Sequence, residues 1–474
     1  MAYRYGDRTQ GEMFPASAEQ LVSADDPVRA YDAFVEALDL ESLGLAIEPH
    51  RVGNSAYDPK AMMKLLVYGY SYGIRSSRKL ERALYHNVSF MWLMGNLKPD
   101  HKTIAEFRRR HAKALARVLK QCARLCLSLG LIEGNTLFVD GSKVRANAGI
   151  GRTWTRKRCE EALAKLDKRI ARLLSECDAA DAAESSSASW VHLKGELSDG
   201  ETLREKVADL LKTMQTEEKP SLNTTDPACA TMHGRQGTHA GYNVQSVVDD
   251  RHGLIVNNDV TDENNDLGQF ARQIDAAQET LGRPCETACG DAGYANVAVL
   301  ENVDKQGVQV IVPSSRQASK KKPDPFDASA FTYDRERDTY TCPQGHVLRY
   351  SQTNRIKQHR VYRIGGSTCQ RCPHRAACSQ NSHGRTICRS VYADVAEKLA
   401  AHYESADGQS VYRRRKQKAE LPFGHMKHNL GVTGFLLRGL SGVKAEASIL
   451  ATCFNVARMI TLLGVPGLVA LLGR

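Results

Sequence analysis

Apolar positions between residues 15 and 130 recur at the three- and four-residue spacing of helices. Asp58-Pro59 reads as a helix start, with Met62, Leu65, Leu66 and Tyr68 following at that spacing. Gly73 ends this helix, and Ser76-Ser-Arg-Lys-Leu-Glu81 opens a second one with a Ser cap. A helix, a short Gly-bearing turn and a basic helix fit a helix-turn-helix as well as a plain helical bundle. Beyond Pro99, residues Lys102 to Lys120 predict another basic helix with Arg108, Arg109 and Arg110 at its centre.

The period then changes. Thr136 to Asp140 is a short apolar strand ending on a carboxylate. Leu166, Ile170, Leu173 and Cys177, then Leu203, Val207, Leu210 and Met214, step by 4, 3 and 4 on either side of the Ser-rich stretch Ser185 to Ser189. That spacing predicts an antiparallel coiled-coil hairpin. Strands follow at Tyr242–Val248 and Leu254–Val260, joined by a turn at Asp249 to Gly253. A helix from about Asp266 to Leu281, a strand at Thr287–Asp291, a helix at Asn296–Asp304 and an apolar strand at Val308–Pro313 complete the alternation. A last amphipathic helix covers Gly408 to Lys427. The fold class is therefore α/β: a mixed sheet sandwiched by helices, preceded by an α-helical domain.

At 474 residues the chain is long enough for about three domains of roughly 150 residues. The division expected is a helical DNA-binding domain over 1–130, a core over 131–314 with the helical hairpin inserted at about 155–217, a Cys-rich β insertion over 315–400, and the rest of the core over 401–474. The linker Ser319-Lys-Lys-Lys-Pro-Asp-Pro would open the insertion. With 42% hydrophobic and 25% charged residues the chain is neither collagen-like nor wholly disordered. The apolar run Ala447 to Leu472 is interrupted by Asn455, Arg458 and Pro466, which favours a buried helix over a membrane span. The first residues have no apolar signal segment, and most of the 13 cysteines are scattered singly, which points to a reducing, cytoplasmic setting.

Charge changes the picture. The net charge is +11, and it is concentrated. Asp58 to Lys120 holds 14 Lys and Arg against 4 Asp and Glu, and Gly408 to Lys444 holds 8 against 1. Two basic blocks of this kind suit a polyanion, most commonly nucleic acid.

Three carboxylates occupy telling places: Asp140 at the end of the first strand, Asp291 at the end of the fourth and Glu420 on the last helix. In a twisted sheet the first and fourth strands can lie side by side, with the helix packed on that face. Carboxylates gathered so would repel unless cations sat between them, and an all-oxygen ligand set favours Mg²⁺ or Mn²⁺. Two such ions clamp the attacking and leaving oxygens of an in-line phosphoryl transfer. Glu420 and Lys427 are seven residues apart and share a helix face, so Lys427 would hold a phosphate near the metals.

These residues, in Phe138-Val-Asp140-Gly-Ser, Thr225-Asp-Pro, Gly241-Tyr-Asn-Val-Gln, Gly290-Asp291-Ala-Gly-Tyr294 and Glu420-x-x-Phe-Gly-x-x-Lys427, resemble the DDE transposases of bacterial insertion sequences, in the group with a Tyr-Arg-Glu-Lys signature. The resemblance implies an RNase-H-like core in which Asp140, Asp291 and Glu420 bind two Mg²⁺ or Mn²⁺ ions. It also implies double-stranded DNA partners (the element's terminal inverted repeats and a target) and a homodimer or higher oligomer at synapsis. The signature places Tyr and Arg at positions that here hold Arg413 and Lys416; Tyr412 and Arg415 are each displaced by one. With Lys427 and Arg108, Arg109 and Arg110, of which only one or two can face one way on a helix, they are the expected DNA contacts.

A second site is expected in the Cys-rich insertion. Cys369-x-x-Cys372 has zinc-knuckle spacing, with Cys342 and Cys378 as the other ligands and His346 as a substitute; unmetallated thiols packing a small β insert are the alternative. Asp226 and Asp249 read mainly as turn or capping residues, and His233 and His239 lie in a Gly-rich stretch. No G-x-x-x-x-G-K-[ST] occurs, so no nucleotide-driven step is expected. Two further readings remain open: a DNA-binding regulator without catalysis, and a nuclease of the same fold that hydrolyses without strand transfer.

Overall fold

The computed structural model describes residues 17–45, 57–182, 187–234, 237–319, 324–379 and 381–473. The extreme amino terminus, residues 185–186 of the Ser-rich joint and the lysines of the expected 319–325 linker lie outside them. The chain divides into two compact units. The first takes Met1–Asp266, Gln273–Pro284 and Lys416–Arg474, and the second Leu267–Arg272 and Cys285–Arg415. Helices and sheets are mixed in both, in keeping with an α/β chain.

In the first unit, helices Pro27–Glu36 and Pro59–Ser71 start where Asp26 and Asp58 accept the backbone N–H two residues on, with Pro at the first helical position. Gly73 takes φ +71° at the following turn, a conformation that costs glycine little. Ser76 precedes the next helix, Ser77–His86, yet its side chain makes no cap bond. The expected helix over 102–120 is split into His101–Arg110, Ala112–Leu115 and Val118–Ser128.

Pro27–Glu36, Pro59–Ser71, Ala112–Leu115 and Val118–Ser128 pack against the long C-terminal helix Gly439–Leu472, which is kinked at Gly464. By length and apolarity alone it would cross a membrane. Ala445, Ile449, Leu450, Cys453 and Val456 are instead buried in the unit's core. Asn455, which interrupts the apolar run, explains why. Its amide accepts from the Ile255 N–H and donates to the Ile255 carbonyl, both at 2.8 Å, pinning the helix to a strand.

That strand, Ile255–Thr261, pairs with the thirteen-residue strand Gly237–Asp249, which also pairs antiparallel with Thr136–Arg145. The first strand was expected to stop at Asp140. It runs on to Arg145, because Asn243 and Gln245 of the long strand offer partners to Lys143 and Gly141. Asp140 therefore sits mid-strand. Helices Arg156–Ala182 and Ser187–Thr216 form the inserted hairpin on a two-stranded base, Thr153–Thr155 with Ser221–Asn223. Leu173, Cys177, Val207 and Met214 are buried as the spacing predicts, whereas Leu203 is 48% exposed.

The second unit pairs Thr287–Cys289 in parallel with Gln309–Ile311, with helix Val297–Asp304 between them. Its other part is a five-stranded antiparallel sheet. Thr386–Ser390, His359–Arg363, Val347–Asn354, Thr339–Thr341 and Thr332–Asp334 lie in that spatial order. Tyr340, Leu348, Tyr362 and Ile387 form its core, and Cys342, Cys369 and Cys378 pack against it.

Candidate active site

Successive strand residues face opposite ways, so Asp140, Ser142 and Val144 share one face, with Tyr242 and Val244 beside them across the ladder. On that apolar face pack Phe423, Phe435, Val443 and Ala447. Phe423 belongs to helix Ala406–Gly424 and lies three residues, about one turn, past Glu420. Burying Phe423 on this face thus brings the turn bearing Glu420 to the Asp140 side of the sheet. Glu420 itself is exposed and Asp140 half-buried.

After Gly424 the helix passes into a π-helical segment, His425–Asn429. Such wide turns re-aim side chains and concentrate at functional sites. Here the segment carries Lys427, whose Nζ donates to Ser142 Oγ at 2.7 Å. The two positions separated by 285 residues are joined two residues beyond Asp140. Burial pushes the pKa of His425 in the same segment down, and its ring lies 5.5 Å from that of Phe454.

Asp291 lies in the second unit, two residues past the strand end expected to carry it. There it caps the short turn Ala292–Tyr294, accepting from the Gly293 N–H at 2.8 Å. Arg415 approaches its other oxygen at 3.4 Å. Arg415 is only 7% exposed, and Tyr412, one turn earlier, is half-buried against Tyr403. Burial raises the Tyr412 pKa, Arg415 opposes that, and Asp291 adds to it, so the displaced pair neighbours the carboxylate. Arg415, expected on DNA, is buried beside Asp291 instead.

The arginine triplet divides in the same way. Arg108 is 5% exposed and donates to Tyr70 Oη at 3.0 Å and to the Arg75 carbonyl at 2.7 Å. It is a core residue, because the helix face that carries it also buries Ile104. Arg109 is exposed and paired with Glu106, and Arg110 is exposed.

Three carboxylate networks take shape only in the fold. Asp226, 1% exposed, accepts from Tyr242 Oη at 2.8 Å and from the Gly439 N–H at 3.1 Å. Asp266 accepts from Asn243 and Gln245 at 2.6 and 2.7 Å, with Lys143 at 3.4 Å. Glu446, fully buried, pairs with Arg75 at 2.8 Å and accepts from the Leu436 and Leu437 N–H groups. The polar alternation of Gly241-Tyr-Asn-Val-Gln was the available signal for the second. Nothing local marks Glu446. Asp249, expected as a turn residue, caps the Gly134 and Arg251 N–H groups, and burial raises its pKa.

In the second unit Cys342, Cys369, Cys372 and Cys378 line one cavity of about 30 Å³ with His346, Phe326 and Arg385. The His346 and Arg385 N–H groups donate to the sulfurs of Cys342 and Cys369 at 3.3 and 3.4 Å. Among the described residues no three His, Cys, Asp or Glu side chains are gathered closely enough to hold a metal ion, so the thiols border the cavity without closing on one point. His233 bonds Thr238 at 3.0 Å within its own hairpin, and His239 reaches only the Gly237 carbonyl, at 3.3 Å.

A carboxylate and a lysine-tethered helix share one sheet face, in a chain with blocks of positive charge. Comparison with known families specifies the class: residues 16–110 match the Transposase domain (DUF772), and residues 341–460 match the Transposase DDE domain. Both matches are to transposase domains, and together they support an insertion-sequence DDE transposase. No curated protein and no solved structure matches it.

Proposed function

We propose that this transposase cuts DNA at the ends of its element and joins the freed 3′-hydroxyl to target DNA, using an RNase-H-like core with Asp140, Asp291 and Glu420 as its three carboxylates. The observation that carries this reading is the Lys427–Ser142 bond, which ties the end of the Glu420 helix to the strand of Asp140. The oxygen-only donor set suits Mg²⁺ or Mn²⁺. When bound, two such ions polarise the scissile phosphate and lower the pKa of the attacking water or hydroxyl. Asp140, Asp291 and Glu420 would supply the negative charge to hold them, although among the described residues no three such side chains are grouped as a metal site. Arg415, 3.4 Å from the second Asp291 oxygen, orients that carboxylate. Lys427 stands as a fixed cation for a phosphate oxygen of the strand being cut.

Asp140→Asn, Asp291→Asn and Glu420→Gln, each made in the full chain, should abolish Mg²⁺- or Mn²⁺-dependent nicking of a duplex carrying the element end while leaving its retention in a gel-shift assay. Retained nicking in all three would refute the assignment. A wild-type protein that binds but never nicks would be a regulator, and one that nicks but never joins strands a nuclease.

We further propose that Cys342, Cys369, Cys372 and Cys378, which border one cavity without being grouped as a metal site in this structure, draw together around a structural zinc when it binds. Four sulfurs around one small cavity suit zinc far better than magnesium, and N–H donation to sulfur is how thiolates are stabilised. Elemental analysis should give about one zinc per chain, falling in Cys369→Ser/Cys372→Ser. Zinc absent from wild-type protein with all thiols titratable would reject it.

A further inference from the structure

The stretch from residue 341 to residue 390 contains nine Lys and Arg and not one Asp or Glu. The fold sorts these charges. Arg360 is taken up by Asp338, Arg389 by Asp394 and Glu397 at 2.8 and 2.7 Å, and Arg385 by the carbonyls of Cys378 and Phe326. Arg349, Arg355, Lys357, Arg363 and Arg371 are exposed.

Their placement is specific. Arg349 and Arg363 are directly opposed on adjacent antiparallel strands, with Thr339 and Thr386 as the next cross-strand neighbours on the same face. Like charges opposed in this way destabilise a sheet unless an anion lies between them. At the tip of the same hairpin stand Arg355, Ile356 and Lys357, and Ile356 is 96% exposed. The Val347–Asn354 strand pairs with Thr339–Thr341 only over Val347–Arg349, so among the described residues its distal part has an open outer edge. A basic, hydroxyl-bearing hairpin of this kind fits a nucleic-acid groove, with cations on the phosphates.

We propose that the hairpin from Val347 to Arg363 is a DNA-gripping arm, in which Arg349 and Arg363 contact backbone phosphates and the Arg355–Lys357 tip enters the groove of the duplex. The proposal rests on the reading of the chain as a DNA-acting transposase, and adds a contact region that neither the amino-terminal block nor the Glu420 helix supplies.

The test measures affinity of the full-length protein, in zinc-containing buffer, for a labelled linear duplex across a salt series. Arg349→Ala/Arg363→Ala should reduce the slope of log affinity against log salt by roughly 1.8, about 0.9 for each phosphate no longer neutralised. Arg355→Ala/Lys357→Ala should do the same. Thermal melting is the control for folding. Removing two opposed cations should leave the midpoint unchanged or raise it, so a fall in slope without a fall in midpoint identifies a binding role. Unchanged slopes in both variants, with wild-type protein binding normally, would overturn the arm and leave the transposase reading intact. Wild-type protein that binds no duplex would overturn that reading itself.

Discussion

Glu446 is a carboxylate with none of its surface in water, held by Arg75 and two backbone N–H groups. Burial pushes its pKa up and Arg75, with the N–H donors, pulls it back. Arg75 also donates to the Gly434 carbonyl, and its own carbonyl accepts from Arg108, so three residues far apart in sequence share one network. Removing one partner of a buried pair strands the other's charge. Glu446→Leu should therefore cost about 3–5 kcal/mol in urea unfolding, while Arg75→Met/Glu446→Leu should recover a large part of it. Asp226 is a milder case. Asp226→Asn keeps the shape but weakens acceptance from Tyr242 and Gly439, and should cost about 1–3 kcal/mol by the same measurement. The buried roles of Arg108 and Arg415 were invisible in the sequence, where both read as contacts for a polyanion. An arginine run states charge, and only packing decides which guanidinium faces inward.

The helix bearing Glu420 and the π-helical segment after it form the element on which the proposed chemistry depends. The seven-residue spacing of Glu420 and Lys427 was legible as one face of a continuous helix. The structure reaches a related result by another route, because the wide turn at His425–Asn429 delivers Lys427 to Ser142. Lys427→Met should lower strand cleavage strongly and leave melting nearly unchanged, since the lysine is exposed. His425 gives the segment a pH dependence. Its pKa is depressed in the folded state, so the neutral ring contributes stability above the unfolded value of about 6.5, and that contribution is lost as pH falls through the folded pKa. Between pH 7 and 5 the melting midpoint should therefore fall less steeply in His425→Phe than in the wild type. Equal slopes would show that the ring does not titrate in this range.

Across the whole molecule, charge is allotted by region. The amino-terminal block keeps Arg109 and Arg110 at the surface while burying Arg108, so Arg109→Ala/Arg110→Ala should flatten the salt dependence of duplex binding without lowering the melting midpoint. Arg108→Ala should instead lower that midpoint, and a reversed pattern would place the DNA on the other side of the helix. Residues 341–390 add a third basic region, whose nine Lys and Arg are spread among the cysteines and not gathered in one run. By itself the sequence determined the alternation of helices and strands, the inserted helical hairpin, the two basic blocks and the grouping of four thiols. Each of these follows from local period, composition or spacing. Only the tertiary structure decided that Asp140 sits mid-strand, that Asn455 clamps an apolar helix to a sheet, and that Glu446 and Asp226 are buried acceptors. These depend on partners tens to hundreds of residues away, and a side chain's surroundings are set by what packs against it, which spacing along the chain does not specify.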